Sequence, residues 1–269
     1  MSQPKSSPEA GVHAGPDGQS GLPGNLNVKP DSHGEIDYFL SIPWCRAHLR
    51  PAERLPAGSV APTVHIVQPS FRRRAPPARN PDGSITSSPD TIDNAFATTL
   101  NSKDTIGAFT LFYNEPAAPA AAHPDYRPPV VELKGFMRLG SGMNGHIGLA
   151  HGGFVATILD EVLGLLIPIN RSRSRHNKRL GLELPLPELA SPAEVAAAKS
   201  GRMDNPYVTG YLNTTYVRPV KTMATILVTA RYTRVEGTRK YYFEGGIHDE
   251  NNQLLAKGEC VFITLKGKL

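Results

Sequence analysis

The residue types best suited to chemistry lie within residues 144–164, where glycines precede an apolar stretch that contains one aspartate followed by a glutamate. A carboxylate in an otherwise apolar helix is costly unless it is hydrogen-bonded or functional. Asp160 could activate water as a general base, a role that typically accelerates a reaction by ~10²–10⁴-fold. Glu161 leaves the helix about 100° away and is less suited to reach the same cleft. The alternative for Asp160 is a structural bond to a neighbouring backbone group.

The triplet His151-Gly152-Gly153 stands at the start of this predicted helix. The first N–H groups of a helix lack partners and carry a partial positive charge, and glycines leave them open to a cleft. Such donors suit a carbonyl oxygen that gains negative charge as water attacks, and one well-placed donor is typically worth about 3 kcal/mol. Taken alone, a Gly-Gly pair before a helix is usually a turn. A histidine there is usually a local hydrogen-bonding residue.

The helix that carries Asp160 is predicted over residues 153–167, and Pro168 is expected to close it because proline cannot continue a helix. Asp160 lies seven residues after Gly153, which is two turns along the same face. The small residues that share this face and leave space round the carboxylate are Ala156, Thr157 and Gly164.

Alternating and β-branched patterns predict two strands, then the helix, then an antiparallel meander. The predicted strands are 106–113, 130–139, 208–217, 222–233, 240–248 and 254–265, with a glycine-rich loop over 140–148. Short helices are predicted over 94–100, where Asp93 could be the N-cap, and over 192–199 within the polar stretch 170–206. Gly245-Gly246 suggests a bulge. One long helix against one antiparallel sheet is an α+β pattern.

The region before this pattern differs from it in composition. Residues 1–35 are rich in Pro, Gly, Ser and Asn and are predicted to form a disordered tail. Residues 36–91 are predicted to form a Pro/Arg-rich arm that packs on the core or on a partner, and regular structure is expected over 92–269. Two basic runs, 72–74 and 171–179, lie beside Pro, Ser or Asn and are expected to be solvated loops.

Charge and composition exclude several classes of protein. The chain has 269 residues, a net charge of +5 and a pI of about 9.2. This mild positive excess can attract phosphates, but the sequence contains no nucleic-acid motif. No apolar run reaches the ~20 residues that a membrane span needs. Because His and Cys show no ligand spacing, we expect neither a metal nor a cofactor.

The location can be predicted only coarsely. The two cysteines, Cys45 and Cys260, are unlike a disulfide framework and fit a reducing compartment. Early acidic residues make a transit peptide a poor fit, so a cytoplasmic location is expected, with a mitochondrial one as an alternative. The Gly-Lys-Leu ending is a weak relative of a peroxisomal address, which makes the peroxisome a second alternative.

Taken together, these residues resemble a known family. His151-Gly152-Gly153, then Ala156-Thr157, then an aspartate nine residues after the histidine resemble the hotdog-fold acyl-CoA thioesterases of the PaaI and human thioesterase-superfamily type. Residues 212–219 (LNTTYVRP) resemble the next strand of that family, and residues 255–262 (LAKGECVF) resemble its final strand. The likeness covers residues 92–266. It implies a hotdog fold, in which an antiparallel sheet wraps a long helix.

The resemblance also implies roles for individual residues. Asp160 would be the base or nucleophile, and Gly152 would supply the N–H that polarises the thioester carbonyl, with Gly153 as a helper. His151 would border and shape the site. Thr209 matches the place where mitochondrial members of the family hold the attacking water. The remaining candidates for substrate binding, besides Gly153, are Thr157 and Asn144.

The function expected from the resemblance is hydrolysis of an acyl-CoA to a free acid and coenzyme A by a homodimer or a dimer of dimers. Ordinary surface charge is the better explanation for four cations near strand ends that could also meet coenzyme A phosphates: Arg218, Lys221, Arg234 and Arg239. One alternative is a hotdog dehydratase or hydratase, which needs a histidine paired with a carboxylate. Another is a non-catalytic acyl-CoA-binding protein.

Overall fold

One antiparallel sheet of seven strands organises the chain. This computed structural model describes residues 32–56, 59–67, 69, 95–119, 122–182, 207–236 and 239–265. The strands of the sheet are β1 (Val64–Val67), β2 (Ile106–Asn114), β3 (Glu132–Leu139), β6 (Tyr207–Tyr216), β7 (Thr225–Glu236), β8 (Lys240–His248) and β9 (Leu254–Thr264), and a separate hairpin contains β4 (Asn144–His146) and β5 (Leu149–Ala150). The order across the sheet is β1-β2-β3-β7-β8-β9-β6, so β6 lies at one edge.

A single long helix, α3 (Gly152–Arg179), packs across one face of this sheet. Alternate residues of β2, such as Phe109 and Leu111, point into the shared core and are at most 1% exposed. On the helix, Ile158 and Leu163 are fully buried in the same core. The prediction of an α+β hotdog fold, a long helix wrapped by an antiparallel sheet, is confirmed.

The predicted strands are also confirmed, each within three residues at either end. The predicted helix near residues 94–100 is a single π-helical turn, Ala95–Thr99. The glycine-rich loop over 140–148 contains a short 3-10 turn and most of the β4–β5 hairpin. The predicted helix over 192–199 and the proposed cap Asp93 lie outside the described residues.

The end predicted for α3 is wrong, because the helix continues through Pro168 to Arg179. A proline removes one helical hydrogen bond, but bonds to the segment before β3 hold the next turns in place. The Asn170 side-chain amide accepts the Val130 N–H at 2.7 Å and donates to the Val130 carbonyl at 2.8 Å. The Asn177 side-chain amide forms the same two bonds with Arg127. The basic run 171–179, expected to be a loop, is therefore helical.

The buried Arg173 also binds the C-terminal half of α3 to β2 and to the segment before β3. Its guanidinium donates to the Pro128 carbonyl and to the Tyr113 hydroxyl, and it forms an ion pair with Glu115. Because the guanidinium has both a carboxylate and neutral acceptors, its charge is satisfied although the side chain is only 7% exposed.

The suggested bulge at Gly245-Gly246 has a different explanation. The register shift between β8 and β9 occurs just after this pair, between Ile247 and His248. A Cβ at Gly245 would clash with the Thr229 backbone carbonyl of β7 and would lie 2.9 Å from the Leu163 Cδ2 atom of α3. The missing side chain therefore lets the neighbouring strand and the helix approach closely.

The described helices of the N-terminal arm pack on the opposite face of the sheet. It contains α1 (Ser32–Ser41), α2 (Pro43–Leu49) and a short 3-10 turn. Phe39 and Cys45 are fully buried against Phe112 and Phe136 of β2 and β3. The last four residues of the predicted tail belong to α1, and residues 1–31 lie outside the described part of the chain. By length and composition α3 could cross a membrane, but here its apolar side chains pack against the sheet.

Candidate active site

The predicted base, Asp160, is in contact with Thr209, the residue predicted to help hold the attacking water. Asp160 lies in the third turn of α3 and Thr209 on the edge strand β6, and the Thr209 hydroxyl donates to Asp160 Oδ1 at 2.9 Å. Burial raises the pKa of Asp160 above its usual value, and the Thr209 bond offsets part of that rise. A carboxylate with a raised pKa is a stronger base, and the half-buried side chain still reaches solvent at the sheet edge.

A neutral thiol lies near this carboxylate, a neighbour that the sequence did not reveal. Cys260 is 1% exposed on β9, and burial, followed by the negative charge of Asp160, raises the pKa of its thiol to about 12. The thiol therefore stays protonated at neutral pH and is a poor nucleophile. Sequence analysis had noted Cys260 only as a free cysteine, since strand pairing is needed to place it beneath the helix.

His151 is the N-cap of α3. Its backbone is extended, with φ −62° and ψ 134°, and its Nδ1 accepts the Gly153 N–H at 3.0 Å. The Gly153 N–H therefore has an acceptor within the chain, and its role as a second donor to the substrate stays a prediction. The Gly152 N–H has no acceptor within the described ranges, so it is the donor that the helix start leaves open.

Tyr216 is a site residue that sequence analysis missed. Its hydroxyl donates to the Gly152 carbonyl at 2.8 Å, and its ring atoms lie 3.5 Å from the position that a Cβ of Gly152 would take. The bond ties the end of β6 to the start of α3. A tyrosine at the end of an edge strand, within the motif that resembled the family, was the available signal.

Asn144 and Thr157, two residues predicted to bind substrate, form side-chain hydrogen bonds within the chain. The Asn144 Oδ1 accepts the Thr222 hydroxyl at 2.5 Å, which leaves its amide N–H groups as the free donors. Asn144 pairs with Ala150 in the β4–β5 hairpin and so lies close to the helix start. Thr157 donates its hydroxyl to the Gly153 carbonyl at 2.9 Å, so this hydroxyl can only accept a further bond.

Six of the candidate site residues, five of them predicted and Tyr216 found in the structure, form two groups within one chain. We call Asp160 and Thr209 the carboxylate half-site, and Asn144, His151, Gly152 and Tyr216 the helix-start half-site. Gly152 and Asp160 are eight residues apart, which places their Cα atoms about 12 Å apart along the helix. A donor must lie roughly 3 Å from the oxygen that it stabilises. Among the described residues, no hydrogen bond joins the two half-sites within one chain.

Three of the four cations near strand ends have local contacts. Arg218 donates to the Leu254 carbonyl and Arg239 to the Thr264 carbonyl, both at 2.9 Å. The Arg234 guanidinium stacks over the ring of Tyr242 at 3.9 Å. Lys221 makes no side-chain bond to the rest of the described chain. No group of three potential metal ligands occurs among the described His, Cys, Asp and Glu residues.

The hydratase alternative lacks its key pair in this region. His151 uses Nδ1 for the Gly153 N–H instead of a carboxylate. Among the described residues, the histidines within 4 Å of a carboxylate oxygen are His65, with Glu115, and His123, with Asp125, and neither pair includes a residue of the two half-sites.

Comparison with known proteins gives matches to solved structures only. No family model and no curated protein sequence matches the chain. A zebrafish structure, thioesterase superfamily member 2, is 18% identical, with a TM-score of 0.36, over 52% of this chain and 77% of that one. A Bacillus halodurans protein solved with CoA is also 18% identical, with a TM-score of 0.36, over 51% and 70% of the two chains.

A third similar structure is a putative thioesterase from Ralstonia eutropha, described as related to phenylacetic acid degradation. It is 15% identical, with a TM-score of 0.35, over 49% of this chain and 76% of that one. With TM-scores below 0.5, these matches assign no role to any residue here. Two of these three solved structures, those from zebrafish and Ralstonia eutropha, are described as thioesterases, and each of the three likenesses covers about half of this chain.

Proposed function

We propose that this protein hydrolyses the thioester of an acyl-CoA to a free carboxylic acid and coenzyme A. The observation that carries the proposal is the hydrogen bond from Thr209 to the half-buried Asp160. Asp160 takes a proton from water, and the water oxygen attacks the thioester carbon. The carbonyl oxygen gains negative charge and accepts the Gly152 N–H. When the intermediate collapses, the C–S bond breaks, and the sulfur leaves as the coenzyme thiol with the proton that Asp160 took from water.

We propose that a second copy of the chain completes each site. The two half-sites lie about 12 Å apart along α3 and no hydrogen bond within the described chain joins them, and we infer that the Gly152 of one copy serves the Asp160 of another. The strand β6 offers a surface for such a partner, because it lies at the edge of the described sheet and its side chains Val208, Tyr211 and Tyr216 are 43%, 45% and 55% exposed. A homodimer, alone or within a dimer of dimers, therefore supports the chemistry. A cytoplasmic location stays a prediction.

The activity is tested with a panel of acyl-CoA esters of different acyl length, monitoring the free thiol that hydrolysis releases. The expected result is turnover of at least one member by the wild-type protein and its loss in Asp160→Asn. Binding of acyl-CoA without thiol release from any ester would instead support the non-catalytic alternative. Addition of water to an enoyl-CoA, with the thioester intact, would support the hydratase.

Sharing of the site is tested by combining two inactive variants. Gly152→Pro removes one N–H, and proline is well tolerated at the first position of a helix. The extended backbone of His151, at ψ 134°, is the conformation that a residue before proline prefers. A heterodimer of Gly152→Pro with Asp160→Asn, isolated through two different tags, has one intact site and should recover about half of the wild-type rate.

No recovery in that heterodimer would contradict a shared site while leaving hydrolysis itself in place. Gly152→Ala is the matched control, because it adds a side chain but keeps the N–H. Its Cβ would lie 3.4 Å from the Tyr216 hydroxyl oxygen, an ordinary contact.

A further inference from the structure

A second concave site lies against the C-terminal half of α3. It has a volume of about 320 Å³ and is lined by Arg127, Ser172, Arg175, His176 and Arg179. Each of these side chains carries a hydrogen-bond donor, and no carboxylate side chain is among them. This volume is at the lower end of the ~300–1,000 Å³ that small-molecule sites occupy. We call this cluster the arginine site.

The fold builds the arginine site from two elements fixed to each other. Residues 172, 175, 176 and 179 have the spacing i, i+3, i+4 and i+7, which places them on one face of α3. Arg127 comes from the segment before β3, and the fully buried Asn177 holds its backbone N–H and C=O at 2.9 Å each. His176 Nε2 lies 3.0 Å from the Asp125 carbonyl oxygen, which makes that nitrogen the donor. The backbones that carry the cations are therefore held in place before any ligand arrives.

The positive charge of the arginine site is not compensated within the described chain. Arg127, Arg175 and Arg179 form no ion pair there, whereas Arg173 on the neighbouring face is bound to Glu115. The acidic residue nearest to Arg127 in sequence, Asp125, forms no ion pair with any of these three arginines among the described residues. The C-terminal end of a helix favours cations, but its partial charge of about −0.5 is small against three guanidinium groups. Their mutual repulsion is therefore a cost that a bound anion would offset.

We propose that the arginine site binds the phosphate group of a small phosphorylated ligand. Guanidinium groups match phosphate oxygens with pairs of parallel hydrogen bonds, and the Ser172 hydroxyl adds a neutral donor. The site is separate from the carboxylate half-site, because residues 172–179 lie 12–19 positions after Asp160, about 18–28 Å along the helix axis. The proposal does not depend on thioester hydrolysis.

The test measures binding by calorimetry and by thermal unfolding of the full chain, using inorganic phosphate, pyrophosphate and ADP as probes. Sodium chloride at matched ionic strength controls for general screening. Saturable binding of at least one probe to the wild-type protein is expected. The double variant Arg175→Gln/Arg179→Gln should weaken it at least ~10-fold, since two charge-assisted hydrogen-bonding groups are lost.

The matched control is Lys103→Gln/Lys178→Gln, which removes the same charge from two exposed lysines that form no ion pair in the described chain and do not line the site. It should bind each probe as the wild type does. Tighter binding of pyrophosphate and ADP would identify a diphosphate ligand, and equal binding of all three would identify a single phosphate group. The proposal is overturned if no probe binds saturably, or if the arginine and lysine double variants lose affinity equally.

Discussion

The carboxylate half-site and the helix-start half-site differ in the kind of chemical group on which each depends. The first depends on two side chains, Asp160 and Thr209, which one hydrogen bond holds together. The second depends on a backbone N–H, that of Gly152, which surrounding groups hold in position. A substitution can remove the Asp160 carboxylate directly. The Gly152 N–H is lost only if a substitution removes that N–H or moves the start of the helix. The two half-sites should therefore respond to substitution in different ways.

The largest expected effect is at the carboxylate. Asp160→Asn keeps size and hydrogen bonding but cannot accept a proton at neutral pH, so kcat should fall by at least ~10²-fold. Because the burial of Asp160 disfavours its charged form, the neutral amide should not lower the thermal unfolding temperature. Steady-state kinetics and a thermal melt measure the two quantities.

Glu161→Gln is the matched control for this prediction, since it makes the same chemical change one residue further along α3. Its kcat should stay within about threefold of the wild type, because its side chain leaves the helix about 100° away. Equal losses in the two variants would show that negative charge near the helix matters and that the position of the carboxylate does not.

The second largest effect is at the backbone donor. Gly152→Pro should lower kcat by about 10²-fold, which is the typical cost of removing one donor from a developing oxyanion. Gly152→Ala keeps the N–H and should retain most of the activity. Circular dichroism checks that α3 is intact in both variants. If alanine and proline reduce kcat alike, the space above Gly152 is what the site requires, and the N–H is not the donor.

The comparison also shows what the sequence could reveal. The apolar helix, the alternating strands and the charged residue within the helix are local patterns, and they predicted the α+β fold and Asp160. The continuation of α3 past Pro168 depends on Asn170 and Asn177, which bond to a segment about forty to fifty residues earlier in the chain. Contacts of that kind have no local sequence signal, so the end of the helix was predicted wrongly.

The helix-start half-site was harder to predict for the same reason. Its glycines and His151 are adjacent in sequence, but the bond from Tyr216 to Gly152 joins residues 64 positions apart. The pairing of the Gly153 N–H with His151 Nδ1 depends on a side-chain rotamer that no spacing fixes. The sequence therefore indicated which residues gather at the helix start, but not which N–H remains free.

A moderate effect is expected from Thr209→Val, which keeps the shape of the side chain and removes its hydroxyl. Turnover should fall by roughly tenfold, less than for Asp160→Asn, since the base itself is retained. The Thr209 bond lowers the pKa of Asp160, so its loss should raise that pKa further above the usual value. A general base works when unprotonated, and the acid limb of the kcat–pH profile should therefore move to higher pH. If the acid limb stayed in place, Thr209 would have no influence on the ionisation of Asp160.

The smallest effect is expected from Tyr216→Phe, which keeps the ring and removes the hydroxyl that donates to the Gly152 carbonyl. A neutral hydrogen bond at an exposed position contributes about 0.5–1.5 kcal/mol, so a two- to tenfold loss of activity is the scale to expect. Because the hydroxyl acts by holding the helix start, the loss should appear in kcat with little change in KM. The acid limb of the pH profile should stay where it is in the wild type, since Tyr216 bonds the backbone and Asp160 keeps its Thr209 partner. Measuring Thr209→Val and Tyr216→Phe side by side thus separates the half-sites: one variant moves the pH profile and the other only lowers it. A shifted limb in Tyr216→Phe would show that the hydroxyl also influences the carboxylate, and the division into two half-sites would then fail.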